Sequence, residues 1–164
     1  MDALRPVIVA SHTLPDADRR GLAAAVVAAF GHAYPGWDAT VALHELSNRD
    51  GLPAGVASLV DGRPAGCATL LADDEVDGLD GVGPWLANVW VEPSARGMGV
   101  GSALVEAIVA LAEARGANAL HLVTDTAVDW YASKEWQVQG AVRVHGTPMT
   151  HMARPLAAPR VGQA

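Results

Sequence analysis

The chain has 164 residues, of which 51% are hydrophobic and 18% charged, and its formal net charge is −7. This length and composition predict one domain with a substantial core and exclude an intrinsically disordered chain. The negative charge argues against nucleic acid as a partner, because a nucleic-acid-binding domain needs a basic face. It favours a cationic or amine-bearing small molecule.

Other features of the sequence narrow the class of protein. The longest apolar run, residues 22–30, is too short to cross a bilayer, and the N-terminus carries no secretory signal. The single cysteine, Cys67, excludes an intrachain disulfide and a cysteine-based zinc site. We therefore expect a cytoplasmic enzyme with no membrane partner.

Hydrophobic periodicity and turn residues predict a mixed α/β fold. Asp16 is expected to cap the first helix, and Asp61-Gly62 between two apolar runs predicts a β-hairpin. The expected elements in chain order are strand 6–10, helix 16–30, a short helix within 34–47, strands 56–60, 65–71 and 85–91, helix 101–115, strand 120–124, helix 127–134, and strands 136–144 and 149–153.

This order of elements contains one β-α-β crossover, in which helix 101–115 joins two strands. Such a crossover predicts a parallel strand pair with a right-handed connection. Ligands in folds of this kind bind near the carboxyl ends of the strands, where the following helix begins. We expect a single domain over residues 1–154, with fraying from Arg154 onward and a disordered tail over residues 155–164.

The most informative segment links strand 85–91 to the following helix. Gly97, Gly99 and Gly101 stand at alternate positions, and Arg96 precedes them. Such a turn exposes backbone N–H groups at the positive end of a helix dipole, and the absence of Cβ atoms lets an anion approach. The segment therefore predicts a phosphate-binding turn; the simpler alternative is a helix-entry turn without a ligand.

The residues around this turn argue against two common phosphate sites. A P-loop needs Gly-Lys-Ser/Thr at the end of the turn, but the chain's one lysine is Lys134. In a dinucleotide-binding turn the third small position falls on Ser102, and an acidic residue is needed about 20 positions later. Asp125 comes somewhat late for that role, and the turn lies past the middle of the chain.

The remaining pattern, Arg-x-x-Gly-x-Gly at Arg96, Gly99 and Gly101, resembles the GNAT superfamily of acetyl-CoA-dependent N-acetyltransferases. Glu135 stands where that family usually has a glycine. The resemblance covers roughly residues 46–154 and implies a central mixed β-sheet of about six to seven strands flanked by about four helices. Three further segments carry it: Val89-x-Val91-x-Pro93, Ala114-Arg115-Gly116, and Trp130-Tyr131 followed by Trp136.

The resemblance implies acetyl-CoA as co-substrate and no metal. The turn would bind the pyrophosphate, with Arg96 supplying charge, and the preceding strand would hold the pantetheine arm. The Val89 N–H would face the thioester carbonyl and stabilise the oxyanion. The expected coenzyme-A-binding residues are Val89, Trp90, Val91, Arg96, Gly97, Met98, Gly99, Val100, Gly101 and Ser102.

By the same resemblance, Tyr131 is the expected catalytic general acid, which protonates the departing thiolate. The alternative is a buried tyrosine that packs against Trp130 and Trp136 with its hydroxyl bonded to the backbone. The general base is not evident, because Trp85 stands where several family members have a catalytic glutamate. We expect an ordered water in that role by default.

Several titratable residues are weaker candidates for the base or the acceptor pocket. His44, Glu45, His121 and Asp125 could serve as base, although a structural or exposed role is the simpler interpretation for each. The closing hairpin carries His145 and His151, which would either line the acceptor pocket or be exposed. The acidic segment 73–78 lacks the calcium-loop pattern and predicts a solvated loop.

The leading functional hypothesis is transfer of an acetyl group from acetyl-CoA to a primary amine of a small cationic molecule. The alternatives are a peptide or protein N-terminal acetyltransferase and a non-catalytic coenzyme-A-binding sensor. The acceptor would be recognised by residues 34–47 and by the closing hairpin. A homodimer is common in the family, but no residue of this chain demands one.

Overall fold

The computed structural model describes residues 5–157, and it confirms the mixed α/β class. The strands are β1 (Val7–Ala10), β2 (Ala54–Val60), β3 (Arg63–Leu71), β4 (Trp85–Val91), β5 (Ala119–Thr124), β6 (Gln137–Val144) and β7 (Thr147–Pro155). The helices are α1 (Asp16–Phe30), α2 (Ala39–Ser47), α3 (Val100–Ala114) and α4 (Val128–Ala132).

The seven strands form one sheet in the order β1-β2-β3-β4-β5-β7-β6. Every neighbouring pair is antiparallel except β4 and β5, which are parallel and joined through α3. The predicted crossover is thus confirmed as a parallel pair. Asp61 and Gly62 adopt φ values of 52° and 74° between β2 and β3, as a tight hairpin turn requires.

Helices cover both faces of the sheet. Neighbouring residues along a strand point to opposite faces, so they join different apolar clusters. Val56 joins the apolar cluster beneath α3, which is centred on Leu104 and Ile108. Ala57 joins the cluster formed with α1 and α2 on the other face. The single cysteine, Cys67, is part of this second cluster, and burial raises the pKa of its thiol to about 12.

The helix-capping prediction was wrong for α1. Pro15 occupies the cap position, and Asp16 is the first helical residue, where its carboxylate pairs with the Arg20 guanidinium at 2.6 Å. An acidic side chain in the first turn still stabilises the helix through its interaction with the helix dipole, although it does not cap the helix. In α2 the cap is Asp38, whose carboxylate accepts a hydrogen bond from the Val41 N–H at 3.0 Å.

The acidic segment 73–78 is only in part the solvated loop that its charge predicts: most of its residues are exposed, but Asp74 and Val76 are buried. Val76 is buried and forms an antiparallel bridge with Val144, while the Asp77 N–H donates to the Arg143 carbonyl at 2.9 Å. The apolar anchor at Val76 docks the loop on the closing hairpin. This docking buries Asp74, whose exposed fraction is 6%.

The chain end also differs from the expected tail. Strand β7 continues through Arg154, whose guanidinium bonds the Glu106 carboxylate at 2.7 Å, to Pro155, which pairs with Ala119. Fraying therefore does not begin at Arg154. Of the expected disordered tail, residues 158–164 lie outside the described part of the chain. Within residues 5–157 no helix is long and apolar enough to span a membrane.

Candidate active site

The glycine turn connects β4 to the first turn of α3. Gly97 and Gly99 both have φ of 80°, a left-handed conformation that glycine adopts without strain. Gly99 is the N-cap of α3 and supplies no side chain to its free N–H groups, and the first helical turn contains no acid. The N–H groups at this helix end therefore have no side-chain cap and no neighbouring acid, which is the arrangement that an anion site requires.

A groove of about 720 Å³ runs beside this turn, between the end of β4 and α4. Every expected coenzyme-A-binding residue lines it except Met98, whose exposed fraction is 41%. Arg96 lies at the groove with its Nε atom 3.3 Å from the Val91 carbonyl oxygen, which ties the cationic side chain to the end of β4. On the α4 side the wall includes Trp130 and Tyr131.

Strands β4 and β5 separate towards their carboxyl ends, next to this groove. They pair at Trp85 and His121, and beyond that pair each strand continues with its antiparallel neighbour. Asn88 adopts φ of 57°, and the β3–β4 register shifts by one residue here, which marks a β-bulge. The opening holds a second cavity of about 140 Å³, which we call the junction cavity; its walls include residues 86–89 and 122–127.

Tyr131 lines both the groove and the junction cavity. Its ring makes edge contacts with Trp130 and Trp136, at centroid distances of 4.8 Å and 5.8 Å, so the packing of the structural alternative is also present. Burial raises the pKa of the Tyr131 hydroxyl above its ordinary value. A hydroxyl in this environment stays protonated at neutral pH, which a general acid requires.

The backbone conformation at Glu135 is compatible with the glycine that the family usually has at this position. Its φ of 72° is in the left-handed region, where a glycine would be unstrained. The fold therefore keeps the backbone that the usual glycine provides, and the carboxylate points outward, 3.7 Å from Arg154.

The expected histidine candidates fall outside the cavities. His121 and His151 form a hydrogen-bonded stack, with Nδ1 and Nε2 2.9 Å apart, against the buried ring of Trp85. Burial lowers the pKa of both imidazoles, so the pair is neutral at pH 7. His44 is exposed on α2, and His145 lies on the hairpin with Nε2 3.2 Å from a Glu75 carboxylate oxygen.

A third cavity of about 320 Å³ adjoins the junction cavity, and we call it the acidic cavity. The two share Tyr34, Asp74 and Asn88. Carboxylates from α2 and from the docked loop line the acidic cavity together with two aromatic side chains. These residues are Glu45, Asp73, Asp74, Glu75, Tyr34 and Trp37.

Sequence reasoning anticipated one wall of this region and missed the other. Segment 34–47 does contribute to the acidic cavity, as expected, through Tyr34, Trp37 and Glu45. The docked acidic loop was not anticipated, although Val76 between charged neighbours was the signal of an anchored segment. Asp125 does line the junction cavity, where it lies 3.7 Å from His32.

Burial dominates the electrostatics where the two cavities meet. It raises the pKa of Asp74 to about 7, although hydrogen bonding from the Tyr34 hydroxyl acts in the opposite direction. Glu45 also has a raised pKa because it is partly buried, and its carboxylate accepts a hydrogen bond from the Trp37 indole. No group of three or more metal-binding side chains occurs among the residues that the structure describes.

Solved structures that match this chain include N-acetyltransferases. An aminoglycoside 6'-N-acetyltransferase complexed with coenzyme A superposes with a TM-score of 0.74 at 16% identity, covering 94% of this chain and 98% of that one. For the ribosomal-protein-S18-alanine N-acetyltransferase from Escherichia coli the values are 0.65, 20%, 97% and 99%. At such identities the likeness is one of fold. No curated protein sequence matches.

The family model described as the acetyltransferase (GNAT) family matches residues 31–136, which is more than half of the chain. That range begins after α1 and includes the acidic cavity, the separated strands, the glycine turn and Tyr131. The chain therefore belongs to the GNAT acetyltransferase family and is an acyltransferase.

Proposed function

We propose that this protein transfers the acetyl group of acetyl-CoA to a primary amine of a small cationic molecule. The observation that carries the proposal is the meeting of two spaces at Val89 and Tyr131. The groove along the glycine turn suits a long phosphorylated molecule, and the junction cavity leads from it to the acidic cavity.

The groove fits coenzyme A in its charge and in its backbone. Two left-handed glycines place no Cβ atom at two positions of the turn, and the first turn of α3 presents N–H groups without a competing acid. Arg96 adds the positive charge that a pyrophosphate needs. The end of β4, from Val89 to Val91, would bind the pantetheine arm through main-chain groups.

Bound acetyl-CoA supplies an acetyl group activated as a thioester. The Val89 N–H, at the bulge where β4 leaves β5, would polarise the thioester carbonyl. Tyr131 would donate its proton to the leaving sulfur, and its hydroxyl is protonated at neutral pH. Trp130 and Trp136 hold the Tyr131 ring by edge contacts, at the place where the groove and the junction cavity meet.

Charge favours a cationic acceptor. The two cavities beyond Tyr131 are lined by Asp125, Asp74, Glu45, Asp73 and Glu75, and no lysine or arginine of residues 5–157 lines either cavity. Aromatic faces beside carboxylates are a common site for ammonium groups. Aminoglycoside acetyltransferases are among the similar folds, which agrees with this class of acceptor without identifying it.

The test is a screen for thiol release. Purified protein and acetyl-CoA are mixed with polyamines, aminoglycosides, simple monoamines and short peptides with free N-termini. We expect thiol release with small cationic amines. Turnover with peptides alone would favour the N-terminal acetyltransferase, and thermal stabilisation by acetyl-CoA without any turnover would favour a sensor.

A cytoplasmic location, a possible homodimer and the exclusion of nucleic-acid and membrane partners stay predictions from the sequence. Of these, the oligomeric state is measured directly by light scattering on the purified protein.

A further inference from the structure

We infer that Asp74 is the general base of the reaction, the group that takes the proton from the acceptor ammonium. The inference deepens the proposed function and rests on it. It replaces the ordered water that the sequence led us to expect with a side chain that the docked loop brings to the reaction site.

The position of Asp74 is the first argument. Its side chain lines both the junction cavity, which contains Tyr131 and Val89, and the acidic cavity behind it. An amine that enters from the acidic cavity would reach the thioester through the boundary of the two cavities, where Asp74 lies with Tyr34 and Asn88. Among the acids of the described loop, Asp74 is the one that is buried and that lines the junction cavity.

The setting of Asp74 is the second argument. Burial raises the pKa of its carboxyl to about 7, which is near the value that suits a base at neutral pH. The Tyr34 hydroxyl acts against this rise and lowers the pKa of the carboxyl. Other titratable groups around Asp74 lie on its own loop, on α2, on the hairpin and across the junction cavity. They are Asp73, Glu75, Glu45, His145, His32 and Asp125.

The competing candidates are less well placed. His121 and His151 bond to each other and line neither cavity in the described part of the chain. Asp125 is about half exposed and lies next to His32, so its carboxylate is hydrated by solvent and less enclosed than that of Asp74. Glu45 lines only the acidic cavity of the two, one step further from Tyr131.

The proposed step balances as follows. The acceptor R–NH₃⁺ gives one proton to the Asp74 carboxylate, which later releases it to solvent. The neutral nitrogen then forms a bond to the acetyl carbon, the carbon–sulfur bond breaks, and Tyr131 protonates the sulfur. The second nitrogen proton restores Tyr131. The net change is one amide, one thiol and one proton from one ammonium and one thioester.

The experiment compares kcat and KM across pH for the wild type, Asp74→Asn and Asp80→Asn, with the best amine from the screen. Asp80 is an exposed acid of the same loop that lines neither cavity. At saturating amine we expect kcat of Asp74→Asn to fall on the order of 100-fold at pH 7. Asp80→Asn should match the wild type. Acetyl-CoA binding and thermal unfolding confirm that each variant is folded.

Two further measurements separate a base from a residue that only binds the cation. An analogue whose amine is already neutral at the assay pH does not need the first proton transfer, so the Asp74→Asn deficit in kcat should shrink several-fold with it. Tyr34→Phe removes the hydroxyl that lowers the pKa of Asp74. The rising limb of kcat against pH should therefore move to higher pH, even if Asp74→Asn fails to fold.

The outcomes have distinct meanings. An Asp74→Asn variant that keeps kcat within threefold of the wild type, whether or not its KM for the amine rises, overturns the assignment of the base. The proposed function would still stand. A Tyr34→Phe variant with an unshifted limb also counts against it. A wild-type protein that releases no thiol with any amine overturns the proposed function itself.

Discussion

At the scale of single residues, Tyr131 is the side chain on which the proposed chemistry most depends. Tyr131→Phe keeps the ring that packs between Trp130 and Trp136 and removes only the hydroxyl. We expect kcat to fall about 100-fold, with KM for acetyl-CoA nearly unchanged, because a lost general acid affects the transition state rather than binding. Steady-state kinetics measure both; an unchanged kcat would return Tyr131 to a purely structural role.

Asp74 has a consequence for stability that does not depend on catalysis. Its pKa is about 7 in the folded protein and near 3.8 in the unfolded chain, so the folded state holds the extra proton between these values. The contribution of this group to stability is therefore present at low pH and is lost as pH rises through about 7, by up to about 4 kcal/mol.

Asp74→Asn removes this dependence. We expect the variant to gain unfolding free energy relative to the wild type as pH rises from about 5 to 8. Denaturant unfolding at several pH values measures the difference. A constant difference across that range would show that Asp74 has an ordinary pKa.

Residues differ in how well the sequence foretold them. Tyr131 and the turn glycines follow a local motif, so their positions could be predicted. Asp74 could not, because its burial depends on the long-range bridge between Val76 and Val144. The histidine pair likewise depends on β5 and β7 lying side by side, which no local pattern encodes.

At the scale of elements, the glycine turn allows a matched comparison at the two ends of α3. Gly99 and Gly116 both have φ of 80°, and a Cβ atom added at either would have no neighbour within 4 Å. Alanine at either position should cost about 1–2 kcal/mol through backbone strain. Only Gly99→Ala should also weaken acetyl-CoA binding, by tenfold or more, because the strain distorts the anion-binding turn.

Thermal unfolding and titration calorimetry measure the two effects separately. Equal losses of affinity in Gly99→Ala and Gly116→Ala would mean that the turn does not bind the coenzyme.

The order and type of the elements were predictable because each has its own periodicity and turn residues. Helix ends were less so: Asp16 joined the helix instead of capping it, since an acid is favourable at either position.

At the scale of the whole molecule, whose net charge is −7, several carboxylates lie beyond Tyr131, where they line the junction cavity and the acidic cavity that we propose for the acceptor. KM for a cationic amine should rise when salt increases from about 0.1 M to 1 M, because the Debye length falls from about 10 Å to about 3 Å. KM for an uncharged acceptor analogue should change less. An equal response of the two would remove charge from the account of acceptor recognition.

The overall fold could be predicted because the order of the elements along the chain and the family resemblance agreed. The acceptor could not be predicted. The acidic cavity, which we propose for the acceptor, is assembled from α2, the docked loop and the segment around Tyr34, which are distant in sequence. A charge total indicates a preference for cations without indicating where they bind.

The most direct test of the central claim is mass spectrometry of the amine after incubation with enzyme and acetyl-CoA, with thiol release followed in the same sample. The account predicts one added acetyl group on the amine for each thiol released, and loss of both in Tyr131→Phe. Thiol release without an acetylated amine, which would indicate thioester hydrolysis, would contradict it.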